Sequence, residues 1–188
     1  MILPLVALDR RVLVAVDIVA WGVVHAGTGY LAHRLPDSCC DHDSGVFRIR
    51  RWERSGKLWR LLRVHRWKDR VPEAGGFFAG GTSKRTLPSS TDAGLVRFAS
   101  LTRRAELAHW FAALAAPVFL LWNPLWITGL MVIYGVLVNA PFVVIQRYNR
   151  WRVLGILARR SSRSSSDGPD RARARSRSAE DTTGSSMP

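Results

Sequence analysis

Arg103-Arg104-Ala105-Glu106-Leu107-Ala108-His109-Trp110 opens an apolar run that lasts to Ile145 and closes in Gln146-Arg147-Tyr148-Asn149-Arg150. Charged and hydrogen-bonding groups therefore stand at both ends of a membrane-type sequence. The run is too long for one crossing. At about 1.5 Å per residue it would cover nearly twice the roughly 30 Å hydrocarbon core. Asn123-Pro124 interrupts it, and proline after a polar residue removes a backbone donor and favours a turn. The block reads as a helical hairpin. Its second limb, 125–145, is long enough to cross. Its first, 107–122, is short, which leaves a re-entrant path open. A hairpin brings its ends together, so the two polar clusters are expected to form one site.

Working outward, a second apolar block occupies residues 12–32, interrupted by Asp17 and flanked by Arg10, Arg11, His33 and Arg34. It is long enough for one membrane-spanning helix. A cleaved signal peptide is the rival reading, disfavoured by the length of the apolar stretch and the poor cleavage site around Ala26. The chain has 188 residues, a net charge of +14 and 47% hydrophobic residues, enough for one domain. The arginines lie between and after the apolar blocks, as in a membrane protein with cytoplasmic basic loops. Both ends of the hairpin are basic and are expected in the cytoplasm. The first helix then enters with its N-terminus outside.

Residues 34–106 form a basic, Trp-containing region expected at the cytoplasmic interface. Between Phe47 and Val71, arginines alternate with Trp52, Trp59, Leu62 and Trp67, a pattern expected of one amphipathic helix in the headgroup layer with Gly56 as its weak point. An ordinary surface helix packed on its own domain would give the same pattern. Gly75-Gly76-Phe77-Phe78-Ala79-Gly80-Gly81 reads as a flexible loop; no Gly-Lys-Ser/Thr closes it as a phosphate-binding loop. The adjacent Cys39 and Cys40 cannot build a disulfide framework and read as reduced thiols. From 158 onward the chain is rich in Ser and Arg and poor in large apolar residues, so a disordered tail is expected. Its Arg-Ala-Arg repeats suit a solvated tail, and no nucleic-acid-binding fold accompanies them.

Glu106 and His109 stand three apart, on one face of a helix. A carboxylate can orient an imidazole, which can take a proton from an attacking hydroxyl. Arg103 and Arg104 suit an acidic or phosphate-bearing acyl carrier. An interfacial His beside a Trp is also a common anchor. Glu-x-x-His is half of a di-iron site, but the second motif and extra glutamates are absent, so no metal is expected. No Gly-x-Ser-x-Gly elbow points to a serine hydrolase. Asn139, two residues before Pro141, needs a partner at membrane depth and is placed to bond across the hairpin. Gln146, Arg147, Tyr148, Asn149 and Arg150 should lie near Arg103–His109. The bland reading of that cluster is a positive-inside anchor, which has no need of Gln, Tyr or Asn.

At these residues the chain resembles the glycosyl-4,4'-diaponeurosporenoate acyltransferases, bacterial membrane enzymes of staphyloxanthin-type carotenoid synthesis. Arg104-Ala-Glu-Leu107 with His109-Trp110, Asn139-Ala-Pro141 and Gln146-Arg-Tyr-Asn-Arg150 carry the resemblance. Arg34-Leu-Pro-Asp37, Gly56-Lys-Leu-Trp59 and Trp67-Lys68 add to it. It spans about residues 12–157. Leu101 stands where the family pattern has a Glu.

The resemblance implies transfer of a fatty acyl group to a sugar hydroxyl of a glycosylated carotenoid or similar glycolipid in the bacterial cell membrane. The expectation is an all-α integral membrane acyltransferase: one N-terminal transmembrane helix, an interfacial basic region, a transmembrane hairpin and a disordered tail. His109 and Glu106 are the catalytic candidates. Arg103, Arg104, Asn139, Gln146, Arg147, Tyr148, Asn149 and Arg150 are the substrate-binding candidates, with Arg104 and Arg147 on the acyl carrier. No cofactor is expected beyond an acyl donor such as acyl-CoA or acyl carrier protein; nucleic acid is not an expected partner. The alternative is a non-catalytic scaffold whose arginines bind anionic membrane lipid.

Overall fold

The computed structural model describes residues 6, 8–71 and 91–184, with side chains as far as Arg163 and at Ser165. Every regular element among them is helical: α1 (Arg10–Arg34), α2 (Arg51–Arg54), α3 (Lys57–Leu61), α4 (Val64–Trp67), α5 (Asp92–Leu114) and α6 (Leu125–Gly184). Short 3-10 turns cover Asp37–Cys39, Gly45–Phe47, Lys68–Arg70 and Ala116–Leu121. The glycine-rich loop expected at 75–81 lies outside the described residues.

Three segments are long and apolar enough to cross a membrane: Arg10–Arg34, Asp92–Leu121 and Leu125–Arg163. α1 starts where the Asp9 carboxylate accepts from the Arg11 amide at 2.9 Å, an N-cap. It ends at Leu35, held extended (ψ 139°) by the following Pro36. Its outer surface carries Ile18, Val19, Val23 and Leu31, all more than half exposed. Apolar side chains in that number are unfavourable in water and suited to lipid.

α5 begins well before the apolar run, at a cap in which Thr91 Oγ1 accepts from the Gly94 amide at 3.2 Å. The hairpin therefore extends beyond the apolar block as an antiparallel helix pair. Leu95, Phe98 and Ala99 of α5 pack on Val153 of α6, and Arg160 reaches Asp92. The short first limb has a physical explanation. Pro117 stands at the start of the Ala116–Leu121 turn, and 3-10 geometry rises about 2.0 Å per residue against about 1.5 Å in an α-helix. Residues 107–121 so reach about 24 Å, most of the hydrocarbon depth. Trp122, Asn123 and Pro124 make the turn.

α1 docks along the hairpin at both ends. Near its start, Asp17 accepts from Trp122 Nε1 and Asn123 Nδ2 at the hairpin tip, both at 2.8 Å. At its C-terminus, Arg104 Nη1 donates to the carbonyls of Ala32, His33 and Leu35 at 2.7–2.8 Å. Those carbonyls lack helical partners, so Arg104 closes α1. Between the ends, Trp21 stacks on Phe119 and meets Tyr134 edge-on, each at 4.9 Å. Gly135 makes this possible, because a Cβ there would lie 2.9 Å from the Trp21 ring.

One expectation differs from the fold. The segment from Phe47 to Val71 is not one amphipathic helix but α2, α3 and α4. Gly56 (φ +71°) and Arg63 (φ +49°) adopt left-handed backbone that ends each helix. The breaks fold the segment so that Trp59 and Val64 bury against Ile145 and Tyr148 of α6. Gly56→Ala is expected to lower stability by about 1–2 kcal/mol, the left-handed penalty of a side chain. Its Cβ would also sit 3.0 Å from Trp151. A thermal melt of the detergent-solubilised protein checks this. α6 is helical as far as Gly184.

Candidate active site

The hairpin base holds a buried charge network. Glu106, fully buried, has Arg147 Nη1 at 2.8 Å on Oε1 and Arg150 Nη2 at 2.7 Å on Oε2. Glu53 of α2, equally buried, takes Arg147 Nε and Nη2 at 2.7 Å each. This is the two-pronged geometry a guanidinium makes with a carboxylate. Arg147 also donates to the carbonyls of Val46 and Arg48, and Arg150 to that of Phe47. All five N–H donors of Arg147 are thus engaged within the protein. Asp43 completes the network, 3.5 Å from Arg150 and 3.6 Å from Arg103; Arg103 also donates to the Cys40 carbonyl. Three arginines face three carboxylates, and the linker at 46–48 is strapped over them.

Burial alone would raise the Glu53 carboxyl. Hydrogen bonds from Arg147 and the Arg50 amide, with the Arg147 and Arg150 charges, outweigh it and hold the group below its usual 4.5. A carboxylate with a lowered folded pKa contributes stability above its unfolded value and loses it as pH falls through the folded value. The melting temperature should therefore fall as the solution is acidified below 4.5, and Glu53→Gln should flatten that fall.

About one helical turn deeper lies a second constellation. His109 Nδ1 is 3.0 Å from Asn139 Oδ1 across the hairpin. Asn139 Nδ2 donates to the Gly135 carbonyl at 2.8 Å. That bond fixes the amide, since a flipped Asn139 would set oxygen against oxygen. The neutral imidazole then carries its proton on Nδ1, and Nε2 holds the lone pair. Phe142 stacks on the ring at 4.6 Å. Asn139 thus holds Nδ1 and Phe142 packs on the ring face.

The sequence candidates thus divide. Arg103, Glu106, Arg147 and Arg150 share the network; His109 and Asn139 form the deeper pair. Arg104 closes α1 and binds Asp37 at 2.7 Å. Tyr148 points to the other side of α6, edge-on to Trp59 at 5.8 Å. Gln146 and Asn149 are almost wholly buried; neither amide atom of Gln146, nor Asn149 Nδ2, has a hydrogen-bond partner. Buried amides cost energy unless paired. Sequence reading missed Glu53, Asp43 and Asp17. The signal available for Glu53 was a lone acid inside an arginine run and for Asp17 one inside an apolar helix, each of which needs a buried counterpart; Asp43, one of several acids at 37–43, carried no such signal.

The family model for glycosyl-4,4'-diaponeurosporenoate acyltransferase matches residues 43–159. That span holds the whole charge network and both hairpin limbs. The chain belongs to this family. A relative of that name from Staphylococcus haemolyticus is 31% identical over 134 residues, 71% of this chain and 78% of its own length. One from Staphylococcus aureus is 28% identical over 147 residues, 76% of this chain and 88% of its own. No solved structure matches. Membership makes the chain an acyltransferase, an enzyme rather than the scaffold alternative, and its three apolar helices fit a membrane protein.

The family motifs gain physical meaning. Asp37 of Arg34-Leu-Pro-Asp37 meets Arg104. Gly56 of Gly56-Lys-Leu-Trp59 supplies the left-handed break, and Trp59 the packing on α6.

Proposed function

We propose that this enzyme transfers a fatty acyl group from a thioester donor to a sugar hydroxyl of a membrane-dissolved glycosylated carotenoid or similar glycolipid. His109 is the general base. The observation that carries the reading is the His109–Asn139 pair, which orients the imidazole with Nε2 as its basic nitrogen. The acceptor's O–H proton passes to Nε2 while its oxygen attacks the acyl carbonyl. The C–S bond breaks, and the departing thiolate takes the proton back from the imidazolium. The net change is one ester formed and one thioester consumed. Asn139 serves as the orienting partner and Glu106 as an organiser of the hairpin base. The buried amides of Gln146 and Asn149 remain to hydrogen-bond the sugar. The donor is acyl-CoA or acyl carrier protein, and Arg104 and Arg147, spent on partners within the protein, do not hold it.

The names of the relatives support the acceptor class. The apolar surface of the three spanning segments supports an acceptor that arrives through the bilayer. The test is a reconstituted assay. Purified protein in liposomes, given a glycosylated carotenoid and an acyl thioester, should yield the acylated glycoside and one free thiol per ester. Thioester hydrolysis without acylated lipid would contradict the reading.

The arginine bias supports a cytoplasmic position for the hairpin base and the 34–71 region. Cys39 is exposed and Cys40 buried; burial raises the Cys40 thiol above its usual range, which disfavours the reactive thiolate. A membrane-impermeant thiol reagent should spare intact cells and label Cys39 in inverted vesicles. Labelling of Cys39 in intact cells would reverse the orientation.

A further inference from the structure

The broken segment α2–α4 carries a surface that the active-site reading does not use. Trp52 is 59% exposed, Leu62 41% and Leu61 80%. Around them stand exposed Arg51, Arg54, Arg60, Arg63 and Arg66. The acids of the segment are committed elsewhere: Glu53 to Arg147 and Asp69 to Lys68. None of those five arginines makes an ion pair with a described residue.

The height of this surface is set by α6. Trp59 and Val64 pack on Ile145 and Tyr148, with Val144 beside them, and Ile145 is the last residue of the apolar run. α3 and α4 therefore lie alongside the membrane boundary. We infer that α2–α4 rest on the anionic face of the bilayer. Leu61, Leu62 and Trp52 sit in the boundary between headgroups and acyl chains, and the arginines reach the lipid phosphates. Arginine stems lie along apolar surface while their heads stay in water, and cations near an anionic leaflet are attracted to it. An acidic protein could use the same charges, but it would not call for a bare leucine at the level of the bilayer edge. The inference stands whether or not the acyl-transfer reading holds.

Spin labels test it in full-length protein. Leu61→Cys and Leu62→Cys, each with Cys39→Ser, are reconstituted into phosphatidylcholine containing a minority of phosphatidylglycerol. Val96→Cys is the water control, since Val96 is exposed on α5 about 16 Å beyond Leu107. Ile133→Cys, exposed on the spanning part of α6, is the lipid control. Labels at 61 and 62 should collide more with oxygen than with a water-soluble nickel complex, shifting toward the Ile133 value. Arg60→Glu, Arg63→Glu and Arg66→Glu together should shift them back to the Val96 value. Val96-like behaviour at both positions in the unreversed protein would overturn the inference. So would protection from nickel that appears only when an acyl carrier protein is added, which would make the surface a protein-docking face.

Discussion

His109→Ala is expected to lower acyl transfer by roughly 10²–10⁴-fold, the usual contribution of a positioned proton acceptor. The ring is the group whose lone-pair nitrogen is fixed by its surroundings: Asn139 holds Nδ1 at 3.0 Å and Phe142 stacks on the ring. His109→Gln should not restore the rate. An amide keeps a donor and an acceptor of similar reach but cannot take up the proton. The ring is half-buried, and if its role is chemical rather than structural both variants should insert and melt close to the parent. Turnover of the purified variants, beside their melting curves, separates lost chemistry from lost fold.

Glu106→Ala should do its damage through stability. It leaves Arg150 buried with Asp43 at 3.5 Å as its nearest carboxylate, while Arg147 keeps both oxygens of Glu53. Removing one partner of a buried ion pair typically costs about 3–5 kcal/mol, because a charge is left uncompensated. Against a net stability of roughly 5–15 kcal/mol that is a large share. The expected readout is a marked fall in yield after detergent extraction and in melting temperature. Glu106→Gln preserves shape and part of the hydrogen bonding and should cost less. A Glu106→Ala protein as stable as the parent, with turnover lost, would move Glu106 from organiser to participant in the chemistry.

Much of this arrangement is legible in the chain, because membrane physics leaves few choices. A 39-residue apolar run must turn somewhere, and Asn123-Pro124 is where the backbone can. The turn brings 103–106 to 147–150, so Glu106 meeting Arg147 and Arg150 follows from topology. Asn139 bonding across the hairpin follows from the cost of an unpaired amide at that depth. Other features depend on three-dimensional packing that no spacing records. The three-residue separation of Glu106 and His109 suggests mutual contact, yet two arginines from α6 take the carboxylate and an amide takes the imidazole. Arg104 resembles a ligand-binding cation in sequence, but its guanidinium is spent on the end of a helix 70 residues away. The one-helix reading of 47–71 counts apolar spacing correctly and misses that left-handed backbone at Arg63 redirects the chain. Asp17 reads as an interruption until the hairpin tip supplies Trp122 and Asn123.

Whether His109 acts as the base with Asn139 holding it is decided by a double-mutant cycle on acyl transfer. Asn139→Ala in the parent should slow turnover about tenfold, the rate equivalent of one hydrogen bond. The same change in the His109→Ala protein should have no further effect, because there is no ring left to orient. Independent, multiplying losses from the two changes, or full activity in purified His109→Ala protein, would contradict that role.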